Sequence, residues 1–407
     1  MSLRFATATA IALLSGIMLT SPVSTTPADA KSTCQNTGSF DRWLSGFKQQ
    51  AVGAGISKQV VDAALSGVQF NPSIIKKDRA QVIFSDDWLT FSGKLVSAAR
   101  LKNGAAKLKS NAKLFNAIER KFGVPGEVIT AFWGLETDFG GFMGNDSTIA
   151  SLATLAYDCR RPEKFTKELL AALDLIQKGD LRPDEMKGAW AGELGQLQFL
   201  PSYYDKHAVD FDGDGHRNMI KSSADALASA ANYMKFLGWK AGQPWLQEVD
   251  VPDSLPWEQA DVTIKHPVSQ WIKWGVKGHD GNKLAAGNLQ ASLILPMGKD
   301  GPAFLGYPNF DAYLTWNESL TYSLTAAYLG TRYLGAGKAS AGHGNFPKLG
   351  YKEVVAVQNA LVKRGYDVGG VDGTLGAMSR AAVRDLQLKL KMPADGYPST
   401  EFINRIR

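Results

Sequence analysis

Apolar side chains recur at three- and four-residue intervals in "FDRWLSGFKQQAV" (Phe40 to Val52), "FTKELLAALDLIQKG" (Phe165 to Gly179) and "SADALASAANYMKFLGW" (Ser223 to Trp239). That period lays one apolar stripe along a helix, so the body of the protein is predicted to be mainly α. Between Val249 and Leu295 the pattern breaks into short apolar runs punctuated by proline and glycine, such as "VTIKHPVSQW" and "QASLILP". These predict a small strand-containing insertion. The stretch "GAGKASAGHGN" (Gly335 to Asn345) has no apolar period and is a seam of small, flexible residues. Beyond it, Val354, Val357 and Leu361 share one helical face, and Val383, Leu386 and Leu390 share another. Between these two helices lies "GGVDGTLG" (Gly369 to Gly376), a turn that glycine adopts cheaply, and a second Asp-Gly pair follows in "ADG" (Ala394 to Gly396).

The first thirty residues have a different pattern: Arg4, an apolar run centred on "AIALLSGIML" (Ala10 to Leu19), then small residues ending "ADA" (Ala28 to Ala30). This is the layout of an export signal, with cleavage expected after Ala30 to leave Lys31 first. The apolar run falls short of the roughly 20 residues a spanning helix needs, so no membrane anchor is expected after cleavage. Cys34 follows "KST" rather than an apolar-small box, which argues against a lipoprotein.

Composition narrows the reading further. A chain of 407 residues is too long for one core and suggests two or three domains. The net charge of +6 comes without a dense basic block, so nucleic acid is a weak partner reading and a polyanionic matrix a reasonable one. The histidines are scattered, and neither HExxH nor CxxC occurs; nothing calls for zinc or for an organic cofactor. Cys34 and Cys159 are the two cysteines. In an exported chain they permit a disulfide, which we expect to form, although two unrelated thiols fit the count equally well.

Candidate chemistry centres on "WGLETDFGG" (Trp133 to Gly141). Pro125 suits the first turn of a helix on which Ile129, Phe132, Trp133 and Glu136 follow one stripe. A glutamate there is either a helix-end residue with its head in solvent or, facing a cleft, an acid whose pKa desolvation raises. Asp138 falls on another face and reads as a helix-end residue. A second stretch, "GAWAGELGQLQFLPSYYDKHAVDFDGDGHRNM" (Gly188 to Met219), combines small residues that admit close backbone approach with Gln198 and aromatics suited to sugar hydroxyls and ring faces. A tightly packed helix pair would use the same glycines and alanines.

The tail, through "VQNALVKRGY", "GGVDGTLG", "AVRDLQ" and "ADGYPS", resembles the peptidoglycan-binding modules appended to cell-wall enzymes. The body carries "FGVPGEVITAFWGLETDFG", "LATLAYDCRRPEKF", "AWAGELGQLQFLPSYY", "AVDFDGDGHRN", "ADALASAANY", "GPAFLGYPNF" and "NESLTYSL" in that order. It resembles the membrane-bound lytic transglycosylase B family, in a soluble form. The resemblance implies a lysozyme-like α+β catalytic domain over 31–335, a linker over 336–345 and a small helical peptidoglycan-binding domain over 346–407. It implies cleavage of the β-1,4 bond between N-acetylmuramic acid and N-acetylglucosamine without water, leaving a 1,6-anhydro end, in the periplasm. Peptidoglycan strands are the implied partner; no protein partner is indicated.

Carried over by motif, Glu136 is the catalytic acid, Gln198, Tyr233, Asn317 and Tyr322 line the substrate cleft, and Arg160 and Arg161 are the paired arginines beside it. Three positions depart from the family pattern: Ala189 replaces a serine, Glu193 enters in "AGELG", and Phe91 stands where an aromatic hydroxyl is usual. Glu193 is thereby brought near the site. "DFDGDGHRN" is expected to be a structural calcium loop, with Asp210, Asp212 and Asp214 as alternating oxygen donors and a carbonyl from His216. Its twelfth position is Lys221 rather than glutamate, and the resemblance implies that Asp225 closes the site instead. A lysozyme-like hydrolase and a non-catalytic wall-binding scaffold are the alternatives. Lack of a positioned second carboxylate argues against the first, and the retained Glu136, Gln198 and tyrosines against the second.

Overall fold

The computed structural model describes residues 36, 38–79, 86–344, 346–347 and 349–407. The export signal and Cys34 lie outside the described residues. The predicted helices form at Phe40–Gly53, Pro162–Gln177 and Ser223–Phe236. In the first, Phe40, Leu44, Phe47 and Ala51 make the buried stripe that the spacing anticipates. Its start is set by Ser39, whose side chain accepts from the Arg42 N–H at 3.3 Å, a cap that contributes on the order of 1 kcal/mol.

The helix Gly126–Thr137 differs from these because Val128, Ile129, Thr130, Ala131, Phe132 and Trp133 are all buried. A helix buried all round belongs in the middle of a domain, and Ala98–Ser110, Ala112–Phe122, Ser223–Phe236 and Leu320–Tyr333 pack around it. Pro125 stands at its N-cap rather than inside its first turn. Close approach of the surrounding helices depends on Gly104, where a Cβ would lie 2.0 Å from the Tyr333 hydroxyl oxygen.

The broken pattern after Val249 corresponds to a five-stranded antiparallel sheet in the order His266–Pro267, Gln290–Ile294, Ala303–Gly306, Leu246–Asp250, Lys277–Gly278. It has its own core, including Val249, Trp271, Leu293 and Leu305. The sheet continues past the predicted limit of Leu295 because Ala303–Gly306, buried on both faces, shows no alternation by which a four-residue strand could be recognised.

The tail forms helices at Tyr351–Val362 and Ala377–Lys389, and a third at Thr400–Ile406 that the sequence pattern does not reveal. Each Asp-Gly turn is locked by a buried glutamine. Gln358 Nε2 donates to Asp372 Oδ1 at 3.0 Å and its Oε1 accepts from Gly373 N at 2.8 Å. Gln387 repeats the arrangement with Asp395 Oδ1 at 2.7 Å and Gly396 N at 2.9 Å.

The seam read as flexible is pinned to the body. Ala339 N donates to the Tyr328 hydroxyl at 2.9 Å, Ser340 N to Glu248 Oε1 at 2.8 Å, and His343 N to Asp300 O at 2.8 Å. The tail docks through Arg380, whose guanidinium reaches Leu295 O at 3.2 Å and Pro296 O at 2.5 Å, while Leu349, Val354 and Tyr397 join the body's core.

Candidate active site

Glu136 occupies the last turn of the buried central helix, and the chain beyond it turns sharply. Asp138 and Phe139 take φ of 50° and 64°, and Gln198, on the facing loop, takes 51°. Left-handed backbone at non-glycine residues is costly and persists where surrounding bonds enforce it. Those bonds are present. Thr137 Oγ1 donates to Gln196 O at 2.7 Å and accepts from Gly140 N at 2.9 Å, while Gln198 Nε2 donates to Met143 O at 3.1 Å and Gly195 O at 2.9 Å. Gly144 lets the two loops meet: its φ is +88°, and a Cβ there would stand 2.1 Å from Gly188 O. Gln198 therefore stitches the two loops together through its side-chain amide.

The Glu136 carboxyl receives the Tyr322 hydroxyl on Oε1 and a further hydrogen bond from the Trp316 side chain. Burial pushes its pKa up to about 7; the Tyr322 bond pulls against this, the Glu193 carboxylate adds to it, and the Trp316 bond again opposes. Tyr322 itself stays a protonated phenol, held so by burial and by the neighbouring Glu136. No cation bonds to the Glu136 carboxyl among the described residues. That leaves an acid whose donors are neutral, the setting in which a carboxyl keeps its proton near neutrality.

Glu193 reaches the same site from the 188–199 loop. Burial raises its pKa, and the Lys164 and Arg161 charges oppose that rise. Ala189 contributes only backbone, its N–H donating to Glu193 O at 2.9 Å. Phe91 is buried in the core. Tyr233 packs against Trp316 with ring centroids 5.2 Å apart, which joins it to the acid's surroundings. Asn317 follows Trp316 at the helix end; its Oδ1 accepts from Ser319 N at 3.0 Å and its carbonyl from the Ser323 hydroxyl at 2.6 Å. It thus shapes the turn that presents Tyr322. Asp138 caps the central helix and faces Arg100 Nε at 3.6 Å, as expected for a helix-end residue.

Arg160 and Arg161 converge on a residue that the sequence does not single out. Asp78 is 1% exposed, accepts from Arg160 Nη1 at 2.9 Å on Oδ2, and accepts from Arg161 on Oδ1. Burial alone would raise its pKa, but the Arg160 and Arg161 guanidiniums outweigh burial and hold it below the usual carboxylate range. Arg79 bridges Asp78 to Asp158, with Nη2 2.9 Å from Asp158 Oδ1. Trp316 is the other residue missed, one position before the "NESLTYSL" motif.

In the aspartate loop, ligand-capable oxygens of Asp210, Asp212 and Asp214 lie within 4.8 Å of one another. Asp225 is not in that group, contrary to expectation. Its buried carboxylate is occupied by backbone N–H groups, from Phe211 at 2.7 Å and Asp212 at 3.3 Å on Oδ1 and from Asn218 at 2.8 Å on Oδ2. Asp225 closes the loop by gathering its backbone. His216 N donates to Asp214 Oδ1 at 2.8 Å, which orients one carboxylate of the cluster.

The profile of the Transglycosylase SLT domain matches residues 39–331, and that of a peptidoglycan binding domain matches residues 350–406. Membrane-bound lytic murein transglycosylase B of Escherichia coli (strain K12) is 33% identical over 247 residues, covering 60% of this chain and 66% of that protein. The chain thus spans just under two thirds of that relative's length. The structure of SltB3 from Pseudomonas aeruginosa in complex with NAG-anhNAM-pentapeptide is similar with a TM-score of 0.84 and 40% identity, covering 91% of this chain and 99% of that one. The Escherichia coli lytic transglycosylase Slt35 in complex with calcium is similar with a TM-score of 0.63 and 30% identity, covering 74% of this chain and 96% of that one. The fold is accordingly a mainly α, lysozyme-like catalytic domain with a small helical peptidoglycan-binding domain.

Proposed function

Because the chain belongs to the Transglycosylase SLT domain family, we propose that it is a lytic murein transglycosylase cleaving the β-1,4 bond between N-acetylmuramic acid and N-acetylglucosamine. The observation that carries this reading is the Glu136 carboxyl, raised to about 7 and bonded by Tyr322 and Trp316. Glu136 donates its proton to the glycosidic oxygen as the bond to the anomeric carbon breaks. The substrate's acetamido oxygen closes onto that carbon and carries the positive charge. Glu136, now a carboxylate, takes the proton of the C6 hydroxyl as O6 displaces the acetamido oxygen, which forms the 1,6-anhydro ring and restores the acid. No water is consumed, and one carboxyl serves both halves, where a conventional glycosidase needs two.

The test is a digest of purified peptidoglycan with mass analysis of the sugar ends. Anhydro ends, lighter by one water, are expected; reducing ends would return the reading to a lysozyme-like hydrolase.

The acidic loop offers oxygen donors alone, the chemistry of a hard divalent ion. Asp210, Asp212 and Asp214 would hold calcium there as a structural clip on the loop leading to the Ser223–Phe236 helix. A melting temperature that is the same in calcium and in chelator would count against this. The Asn36 side chain accepts from Cys159 N at 2.9 Å, which supports a disulfide between Cys34 and Cys159, to be checked by alkylation of the unreduced, denatured protein. Periplasmic export with removal of residues 1–30 is part of the same proposal, and N-terminal sequencing of the periplasmic fraction should begin at Lys31. In that compartment the tail would hold the enzyme on the wall.

A further inference from the structure

The aromatic surface around the acid does not end at the cleft. Trp316, bonded to Glu136, touches Tyr233, and from Tyr233 two further rings lead outward. Tyr233 and Phe236 stand three residues apart on one face of the Ser223–Phe236 helix, their rings 6.3 Å apart and only 16° from parallel. Tyr203, on the neighbouring Pro201–His207 helix, lies 5.4 Å from the Tyr233 ring, and the two phenol hydroxyls interact. His207, four residues on, fills the angle between Tyr233 at 4.7 Å and Phe236 at 4.6 Å.

Exposure increases along this row: Tyr233 is 7% exposed, Tyr203 42% and Phe236 69%. A single exposed phenylalanine needs no explanation. A contiguous set of rings that is anchored at the catalytic acid and opens to solvent on two helices is different, because Tyr203 and Phe236 are each held against Tyr233, and Phe236 against His207 as well. Such preordered faces bind without the cost of immobilising side chains. A pyranose in the β-1,4-linked strand presents an apolar face of C–H groups, and aromatic rings offer the negative face that receives them.

We propose that Tyr203 and Phe236 form an outer stacking subsite of the cleft, taking an N-acetylhexosamine ring of the glycan strand beyond the one at Tyr233. The proposal rests on the reading of the cleft as glycan-binding and extends it to these two residues. Its occupant follows from continuity: a strand bound across Glu136 and along Tyr233 passes over them next.

The test uses the full-length chain carrying Glu136→Gln, which leaves strands uncut, titrated with peptide-free peptidoglycan strands. An octasaccharide and a disaccharide are compared by calorimetry. Phe236→Ala should weaken octasaccharide binding by about three- to tenfold, and Tyr203→Ala with Phe236→Ala by more, as expected for the loss of one and then two ring contacts. Phe236→Trp should restore the affinity. Phe236 is largely exposed, so an unchanged melting curve is expected to accompany the loss. Octasaccharide affinity unaltered by both substitutions overturns the outer subsite alone. Weakening accompanied by a fall in molar mass in solution also overturns it, because the rings would then be covering a second copy of the chain. Failure of the Glu136→Gln parent to bind any strand overturns the glycan-cleft reading together with the subsite.

Discussion

Two acids in this protein are withdrawn from water and end in opposite states. Glu136 is bonded by a phenol and an indole, and its pKa rises to about 7. Asp78, 1% exposed, is bonded by the guanidiniums of Arg79, Arg160 and Arg161, and its pKa falls. Burial pushes both upward, so burial is not what separates them. The charge of the donors is. A neutral hydrogen bond orients a carboxyl without neutralising it and leaves a proton to give. A cluster of arginines supplies the counter-charge and turns the same group into a fixed anion. The comparison distinguishes a carboxyl that keeps its proton near neutrality from one that holds two elements together: Asp78 lies in the last turn of the short helix Pro72–Arg79, and Arg160 and Arg161 lead into the Pro162–Gln177 helix.

The largest break in that comparison is Glu136→Gln. The amide keeps size and hydrogen-bonding capacity but cannot transfer the proton, so turnover should fall by about 10,000-fold or more, the upper end of general acid–base catalysis. The same substitution should raise stability in alkali. Because the folded pKa is raised, the wild-type contribution is intact below the unfolded value near 4.5 and is lost as the pH rises through about 7. A shift of that size corresponds to at most roughly 3 kcal/mol. Denaturant curves at acid and alkaline pH should therefore converge and diverge respectively. An active Glu136→Gln enzyme would sink the mechanism.

Asp78→Asn is next in size and inverts the pattern. It leaves Arg160 and Arg161 without their shared anion, but those side chains are 42% and 32% exposed and can be solvated, so the loss is set below the 3–5 kcal/mol of a fully buried pair, at about 2 kcal/mol. The sign with pH is opposite to that of Glu136. Asp78 has a depressed pKa, so its contribution is full above the unfolded carboxyl value of about 4 and disappears as the pH falls through the lower folded value. Stability of the two proteins should differ at neutrality and merge in acid; a difference that persists unchanged into acid would mean that the arginines are not paired to a charge.

The two acids also differ in how legible they are. Glu136 follows an apolar helical stripe, a spacing that fits a helix-end residue with its head in solvent equally well, and the long recognisable motif around it is what singles it out. Asp78 sits in "SIIKKDRAQV", where lysines and an arginine make a solvated charge run the natural reading. Its burial arises only because Arg160 and Arg161 return 82 and 83 residues later, and no local pattern encodes that. Tyr322 reaches Glu136 across 186 residues and was accessible through its motif alone, while Trp316, one position outside that motif, was not. The seam at Gly335 to Asn345 illustrates another limit. Its composition reads as a spacer, yet backbone N–H groups anchor it, and backbone donors leave no signature in side-chain identity. The third tail helix, seven residues long, is too short to display a period.

The finest test asks whether Glu136 responds separately to its neutral and its charged neighbour. Activity should decline as the pH rises through about 7, since only the protonated acid begins the reaction. Tyr322→Phe removes a donor that favours the carboxylate, so the alkaline limb should move to higher pH. Turnover should drop about tenfold as a hydrogen bond to a charged group is lost in the second half of the reaction. Glu193→Gln removes a neighbouring negative charge that favours the protonated form, so the limb should move to lower pH, by less than one unit because Lys164 and Arg161 already offset part of the Glu193 charge. Opposite displacements from two substitutions on either side of one carboxyl cannot come from a general loosening of the fold, which would move both limbs the same way. Displacement in one common direction would remove the electrostatic account of the acid. A Glu193→Gln enzyme as inactive as Glu136→Gln would go further: it would make Glu193 a second working carboxylate, and the sugar ends of its parent's digest should then carry water.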